Sequence, residues 1–120
     1  MPPVLADRLR HAIDRGIAFA RQVAQSADNE ADARRATSVL YHVTSAVQLA
    51  AEAGFVIEKR GDARRLLLAQ LVLDHRLAAR DPFALEAGAA EQAIADLLLD
   101  DRPAPLDAVR VLLRVARPGA

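Results

Sequence analysis

The side chains in this sequence that could do chemistry concentrate in one short polar segment, Thr37 to Ser45. In a helix, residues three and four apart share a face, so Ser38 and His42 are predicted neighbours. A serine beside a histidine can act as a nucleophile with its base. The segment has neither a Gly-x-Ser-x-Gly elbow nor an evident oxyanion donor, so we assign no catalytic residue. Two interpretations stay open: hydroxyls that bond back to the preceding helical turn, or a subunit contact formed by Ser38, Tyr41, His42 and Ser45.

Two arginine doublets, Arg34-Arg35 and Arg64-Arg65, fall in the first turns of predicted helices. Positive charge at this end opposes the helix dipole, and the aspartate two residues before each doublet offsets it locally. Because the planar guanidinium group suits a carboxylate or phosphate partner, these four arginines are candidates for a partner contact. The alternative is a solvated face on which the arginine stems cover apolar surface.

The remaining patterns argue against metal and nucleic-acid sites. His11, His42 and His75 belong to three different predicted helices, and no His-x-x-x-His or Glu-x-x-His pair exists, so we expect no metal site. The five glycines do not cluster into a phosphate-binding loop. The few aromatic residues are scattered, whereas nucleic-acid binding favours a basic stripe with stacking rings.

Helical periodicity dominates the chain, and strand-like alternation is nearly absent. We predict an all-α fold, an antiparallel bundle of four to five helices. The five predicted helices cover about residues 4–27, 31–60, 63–79, 82–99 and 106–116.

Local signals refine this prediction. Gly54 interrupts the apolar stripe of the second helix, but we expect one continuous helix there. Gly61 suits the left-handed position after a helix, and Asp62 suits the N-cap of the next one. The third predicted helix is apolar over much of its circumference, so we expect it to be the central element. Asp81-Pro82 is predicted to open the fourth helix, since proline is tolerated at the first helical position.

Composition sets the class of protein. The chain has 120 residues, of which 52% are hydrophobic, 27% charged and 3% aromatic; it has no cysteine and no net charge. This favours one globular domain and excludes disulfide frameworks and thiol nucleophiles. The longest apolar stretch, Leu66 to Leu73, is interrupted by Gln70 and is far shorter than a bilayer span. Charged residues occur within the first eight positions, so no secretory leader is predicted. We therefore expect a cytoplasmic protein that binds neither a membrane nor nucleic acid.

Two segments carry a family resemblance. Residues 33–47 and residues 61–77, the latter followed by Asp81-Pro82, resemble the C-terminal helical region of bacterial acyl-CoA dehydrogenases. The resemblance covers about the middle half of the chain. It implies a helical module that belongs to, or works beside, a flavoprotein and supports its subunit assembly.

The sequence departs from a complete enzyme of that family. It has no middle β-domain, no Gln-x-x-Gly-Gly segment of the kind that contacts the flavin, and no alignable catalytic glutamate. We therefore carry over no catalytic or cofactor-binding residue, and we expect no cofactor and no enzymatic activity in the isolated chain. The resemblance implies FAD only in a complex with a larger flavoprotein subunit.

Two further hypotheses concern the chain without that partner. One is a homodimer, or other interaction module, that assembles through the alanine- and hydroxyl-rich side of the second helix. The other is a bundle that binds a small apolar ligand, because few large aromatic residues are present to fill its interior.

Overall fold

The computed structural model describes residues 1–26, 30–78 and 88–114. Helices account for 82% of these residues, and no strand occurs among them, which confirms the all-α prediction. The elements are α1 (Pro3–Ala24), α2 (Glu30–Arg60), α3 (Arg64–Val72), a π-helical turn (Leu73–Leu77), α4 (Gly88–Leu99) and α5 (Leu106–Arg110). None of the described helices is both long enough and apolar enough to cross a membrane.

Helix α2 is the longest element, and both of the glycine predictions for it are confirmed. It runs unbroken through Gly54 and ends before Gly61, whose φ of 64° lies in the left-handed region. It packs against both α1 and α3. Gly16 of α1 allows close approach, because a Cβ built there would lie 3.4 Å from a methyl group of Val43.

The core is built from small and aliphatic side chains. Small side chains on α2 let neighbouring helices approach closely, and leucines from α1 and α3 fill the space between them. The buried members of this core include Leu5, Leu9, Ala46, Ala50, Ala53, Leu66, Leu67, Leu73, Ile94 and Val109. Because α3 buries most of its circumference, its prediction as a central element agrees with this core.

A polar corner joins the end of α2, the start of α3 and the loop before α5. Asp62 lies one residue before the N-cap position, which Ala63 occupies, yet its carboxylate accepts from the backbone N–H of Arg64 (3.1 Å) and of Ala104 (3.3 Å). The Ala63 N–H donates to the Ala104 carbonyl at 2.7 Å. The guanidinium of Arg64 donates to both Asp62 oxygens and, at 2.6 Å, to the carbonyl of Asp100. The corner thus fixes where the C-terminal segment returns to the core.

Acid is expected to weaken this corner. The hydrogen bond from the Arg64 guanidinium lowers the pKa of Asp62, more than burial raises it. The pKa of Asp62 in the folded protein therefore lies below its unfolded value of about 3.9. The ionised carboxylate stabilises the fold fully above about pH 3.9, and this stabilisation is lost as the pH falls through the folded pKa. We expect Asp62→Asn to cost about 1 kcal/mol at pH 7 and progressively less below pH 4, measured by urea unfolding. A cost that does not change with pH would contradict this assignment.

The third predicted helix does not continue as a regular α-helix to residue 79. It changes at Leu73 to a π-helical turn that ends at Leu77, and residue 79 lies outside the described residues. The π-helical turn contains Asp74, a buried carboxylate that contacts two other parts of the chain. Periodicity alone does not distinguish such a turn from an α-helical one.

The prediction that the fifth helix extends to residue 116 is wrong for the described part, because α5 ends at Arg110. The side chain of Gln70 accounts for the early end. Its Nε2 donates to the Leu112 carbonyl at 3.0 Å, and its Oε1 accepts from the Arg114 N–H at 2.8 Å. The amide group therefore takes the place of backbone partners that a continuing helix would supply.

The first and second helices differ from their predicted bounds by a few residues at their ends. The first helix ends at Ala24, three residues before the predicted end at residue 27, which lies outside the described residues. The described part of the second helix runs from Glu30, one residue before the predicted start. The predicted start of the fourth helix at Asp81-Pro82 also lies outside the described residues, and its described part runs from Gly88 to the predicted end at Leu99.

Candidate interaction face

The polar segment of α2 shows no catalytic geometry. Ser45 Oγ donates to the Tyr41 carbonyl at 2.9 Å, so it bonds back to the preceding turn as one of the two interpretations predicted. Ser38 is exposed, and the half-buried His42 lies edge-on to Tyr41 with ring centroids 5.4 Å apart. Within the described residues neither serine hydrogen-bonds to His42. The segment therefore has no nucleophile–base pair.

The same segment belongs to an exposed stripe on the side of α2 opposite the core. We call this stripe the outer face; its positions are three and four residues apart, the spacing of a helix-packing seam. Tyr41 and Phe55 are its large members, with 68% and 64% of their surface exposed. The outer face consists of Thr37, Tyr41, Thr44, Gln48, Ala51 and Phe55, all exposed.

The outer face is unusual in its charge. No Asp, Glu, Lys or Arg occurs from Ala36 to Ala51, although 27% of the whole chain is charged. Depletion of charge together with exposed tyrosine and phenylalanine is the compositional signal of an interface core. A helix face that contacts only solvent normally contains many charged side chains.

Opposite charges lie just beyond the two ends of the outer face. Arg34 precedes Thr37 by three residues, and Glu58 follows Phe55 by three. Arg34 is 3.9 Å from Glu30, but both side chains are more than three-quarters exposed. Such a pair contributes little, so the guanidinium is free to change partners.

The four arginine candidates have different surroundings. Arg35 pairs with Asp32 at 3.2 Å and lies 5.3 Å from the Phe19 ring centroid. Arg65 pairs with Glu52 at 3.4 Å on the surface. Arg64 is committed to the corner described above, and the hydrogen bond with Asp62 raises the pKa of its guanidinium. Arg64 is therefore structural, and the two doublets do not form one site.

Sequence reasoning missed a buried ionic cluster. The Asp74 carboxylate accepts from Arg8 of α1 and from Arg114, both at 2.8 Å. The exposed fractions of these side chains are 5% for Asp74, 8% for Arg8 and 25% for Arg114. A polar residue repeated at i and i+4 within an apolar helix, here Gln70 and Asp74, is the signal that could have found it.

No three His, Asp or Glu side chains of the described residues are arranged to hold a metal ion. No protein-family model, curated protein sequence or solved structure matches the chain. The similarity to acyl-CoA dehydrogenases therefore stays a prediction from sequence.

Proposed function

We propose that this protein is a non-enzymatic interaction module that forms a homodimer through the outer face of α2. The observation that carries the proposal is the exposed stripe from Thr37 to Phe55, whose six positions carry no charged side chain and which is about 27 Å long at 1.5 Å per residue. A second copy is the natural occupant, because a two-fold axis brings the same uncharged stripe against itself. Burying Tyr41 and Phe55 would supply the aromatic anchors that dominate most interfaces.

Steric fit favours an antiparallel register for the two α2 helices. In antiparallel packing each a-type position faces a d-type position of the other helix. With Tyr41 and Phe55 as a-type positions, Tyr41 faces Ala51, and Phe55 faces Thr37. Each aromatic ring then meets a small residue, which lets the two helices interdigitate without large voids.

The same register matches the charges at the ends of the outer face. Arg34 of one protomer lies opposite Glu58 of the other, and the two-fold axis makes this pair occur twice. In a parallel pair Arg34 would instead face its own copy, as would Glu58. Charge complementarity therefore favours the antiparallel arrangement.

A larger flavoprotein subunit is the second candidate partner. Segment 33–47, which carries part of the family resemblance, contains the N-terminal half of the outer face. In that role the chain would support assembly of an acyl-CoA dehydrogenase-like enzyme, with FAD held in the complex and not by this chain alone.

An antiparallel helical bundle and a cytoplasmic location are also part of the proposed function. The consecutive packing of α1, α2 and α3 supports the antiparallel bundle.

A charge swap tests the proposed register. Arg34→Glu alone and Glu58→Arg alone each place like charges together twice, so we expect each to weaken dimerisation roughly tenfold. The double variant restores both pairs in swapped order, and its dissociation constant should return to within about threefold of the original. Sedimentation velocity over a concentration series measures all four proteins.

The matched control is Arg60→Glu, a charge reversal on the same helix at an exposed position off the outer face. We expect it to leave the dissociation constant nearly unchanged. Additive weakening in the double variant would contradict the antiparallel register. A monomer that associates only when a flavoprotein subunit is added would replace the homodimer with the second candidate.

A further inference from the structure

A groove of about 510 Å3 lies between α1, α2 and the π-helical turn. It shares no residue with the outer face, so it is independent of the proposed dimer. Its volume falls within the range of small-ligand sites, about 300–1,000 Å3. The π-helical turn that forms one of its walls is itself a kind of element found frequently at functional sites.

The floor of the groove is apolar. Its buried lining consists of Gly16 on α1, Val43 on α2 and Leu73 in the π-helical turn, and Gly16 lets α1 approach α2 closely there. The remaining apolar lining is half-buried, so it loses contact with water when a chain-like ligand covers it. That lining consists of Val4, Ala12, Phe19, Val39, Leu77 and Ala78.

The rim of the groove is cationic, although the chain has no net charge. Four arginines line the groove against one carboxylate, Asp7, which pairs with Arg10 at 3.6 Å. Arg8 is committed within the fold to the buried Asp74, and Arg35 forms an exposed ion pair with Asp32 on its own helix. The two others are Arg15 and Arg76; both are exposed, and neither forms an ion pair with any described residue.

We propose that the groove binds a free single-chain amphiphile with an anionic head, such as a medium-chain carboxylate. The alkyl chain covers the apolar floor, and the carboxylate meets Arg15 and Arg76, whose planar guanidinium groups match its geometry. A purely apolar ligand would leave the cationic rim unused. A compact polar anion would leave the floor uncovered.

Isothermal titration calorimetry of the full chain with dodecanoate, below its micelle concentration, tests this assignment. Dodecanol, which keeps the chain and lacks the charge, should bind roughly tenfold more weakly. The double variant Arg15→Gln/Arg76→Gln should weaken dodecanoate binding roughly tenfold and leave dodecanol unchanged. Both arginines are exposed, so the variant is expected to fold normally. Arg60→Gln/Arg110→Gln, which removes two exposed arginines outside the groove, is the matched control.

Several outcomes would overturn the proposal. They are absence of binding by dodecanoate, equal affinity for dodecanoate and dodecanol, and unchanged dodecanoate affinity in the double variant. Binding only to phosphatidylglycerol vesicles would assign the rim to a lipid surface instead. Release of monomers by dodecanoate, seen in parallel sedimentation runs, would assign the groove to a second copy.

Discussion

Replacing Asp74 with alanine is expected to lower the free energy of unfolding by about 3–5 kcal/mol, a large part of a small domain's stability. Asp74 is the only carboxylate in contact with Arg8 among the described residues, and both side chains are nearly inaccessible to water. Without Asp74 the Arg8 guanidinium is buried with no counter-charge. Its partial bond to the Arg114 carbonyl, at 3.4 Å, is too long to compensate. Chemical denaturation followed by circular dichroism measures the loss.

Two further variants separate charge burial from simple loss of contacts. Asp101→Ala removes an exposed carboxylate and should change stability by no more than about 0.5 kcal/mol. Arg8→Met/Asp74→Leu replaces the buried pair with apolar side chains of similar size and should recover most of the loss, because no buried charge remains unpaired. Arg114, one-quarter exposed, can then turn to solvent. If the double variant were less stable than Asp74→Ala, this account of the cluster would fail.

Leu67→Ala is expected to cost about 2–5 kcal/mol, the range for a fully buried leucine whose removal leaves a cavity. Leu67 has no exposed surface and belongs to the central cluster shared by α2 and α3. The surrounding core is rich in alanine, whose short side chains cannot move into the space left behind. Urea unfolding at a fixed protomer concentration gives the difference, since association makes the midpoint depend on concentration.

The neighbouring Leu68 provides the matched control, because it has the same side chain in the same helix but is 38% exposed. Both substitutions change helix propensity equally, so the difference between them reports burial alone. We expect Leu68→Ala to cost less than about 1 kcal/mol. Equal costs at the two positions would show that the side of α3 facing the core is assigned incorrectly.

The arrangement of helices along the chain was largely predictable. The 3.6-residue period places the described helices, and the left-handed Gly61 between α2 and α3 follows from glycine's freedom at positive φ. The uninterrupted path of α2 through Gly54 also follows, since nothing lies within 4 Å of a Cβ built there and no break is required. These features depend on interactions within a few residues, so the local sequence contains them.

The features that were missed depend on distant partners. Gln70 ends α5 by binding Leu112 and Arg114, more than 40 residues away. Asp74 joins α1 to the same C-terminal segment. In the sequence each of these two residues is merely a polar interruption of an apolar helix. Only the tertiary arrangement shows that both residues bind the C-terminal segment and that Asp74 also binds α1.

The candidate site also combines features that the local sequence contains with features that depend on distant partners. Tyr41 was singled out by residue type and stays a candidate, and the structure adds that its ring is exposed opposite the core. Arg64 was singled out for the same kind of reason but is committed to Asp62 and the Asp100 carbonyl. A surface arginine and a structural arginine have the same local sequence signature. Their roles can be distinguished only when the distant hydrogen-bond acceptors are known.

The molar mass of the chain in solution tests the central proposal most directly. Multi-angle light scattering on the full chain, eluted at several micromolar concentrations, should give twice the protomer mass of 12.9 kDa. A mass of 12.9 kDa at every concentration, up to the highest that stays in solution, would contradict self-association through the outer face of α2.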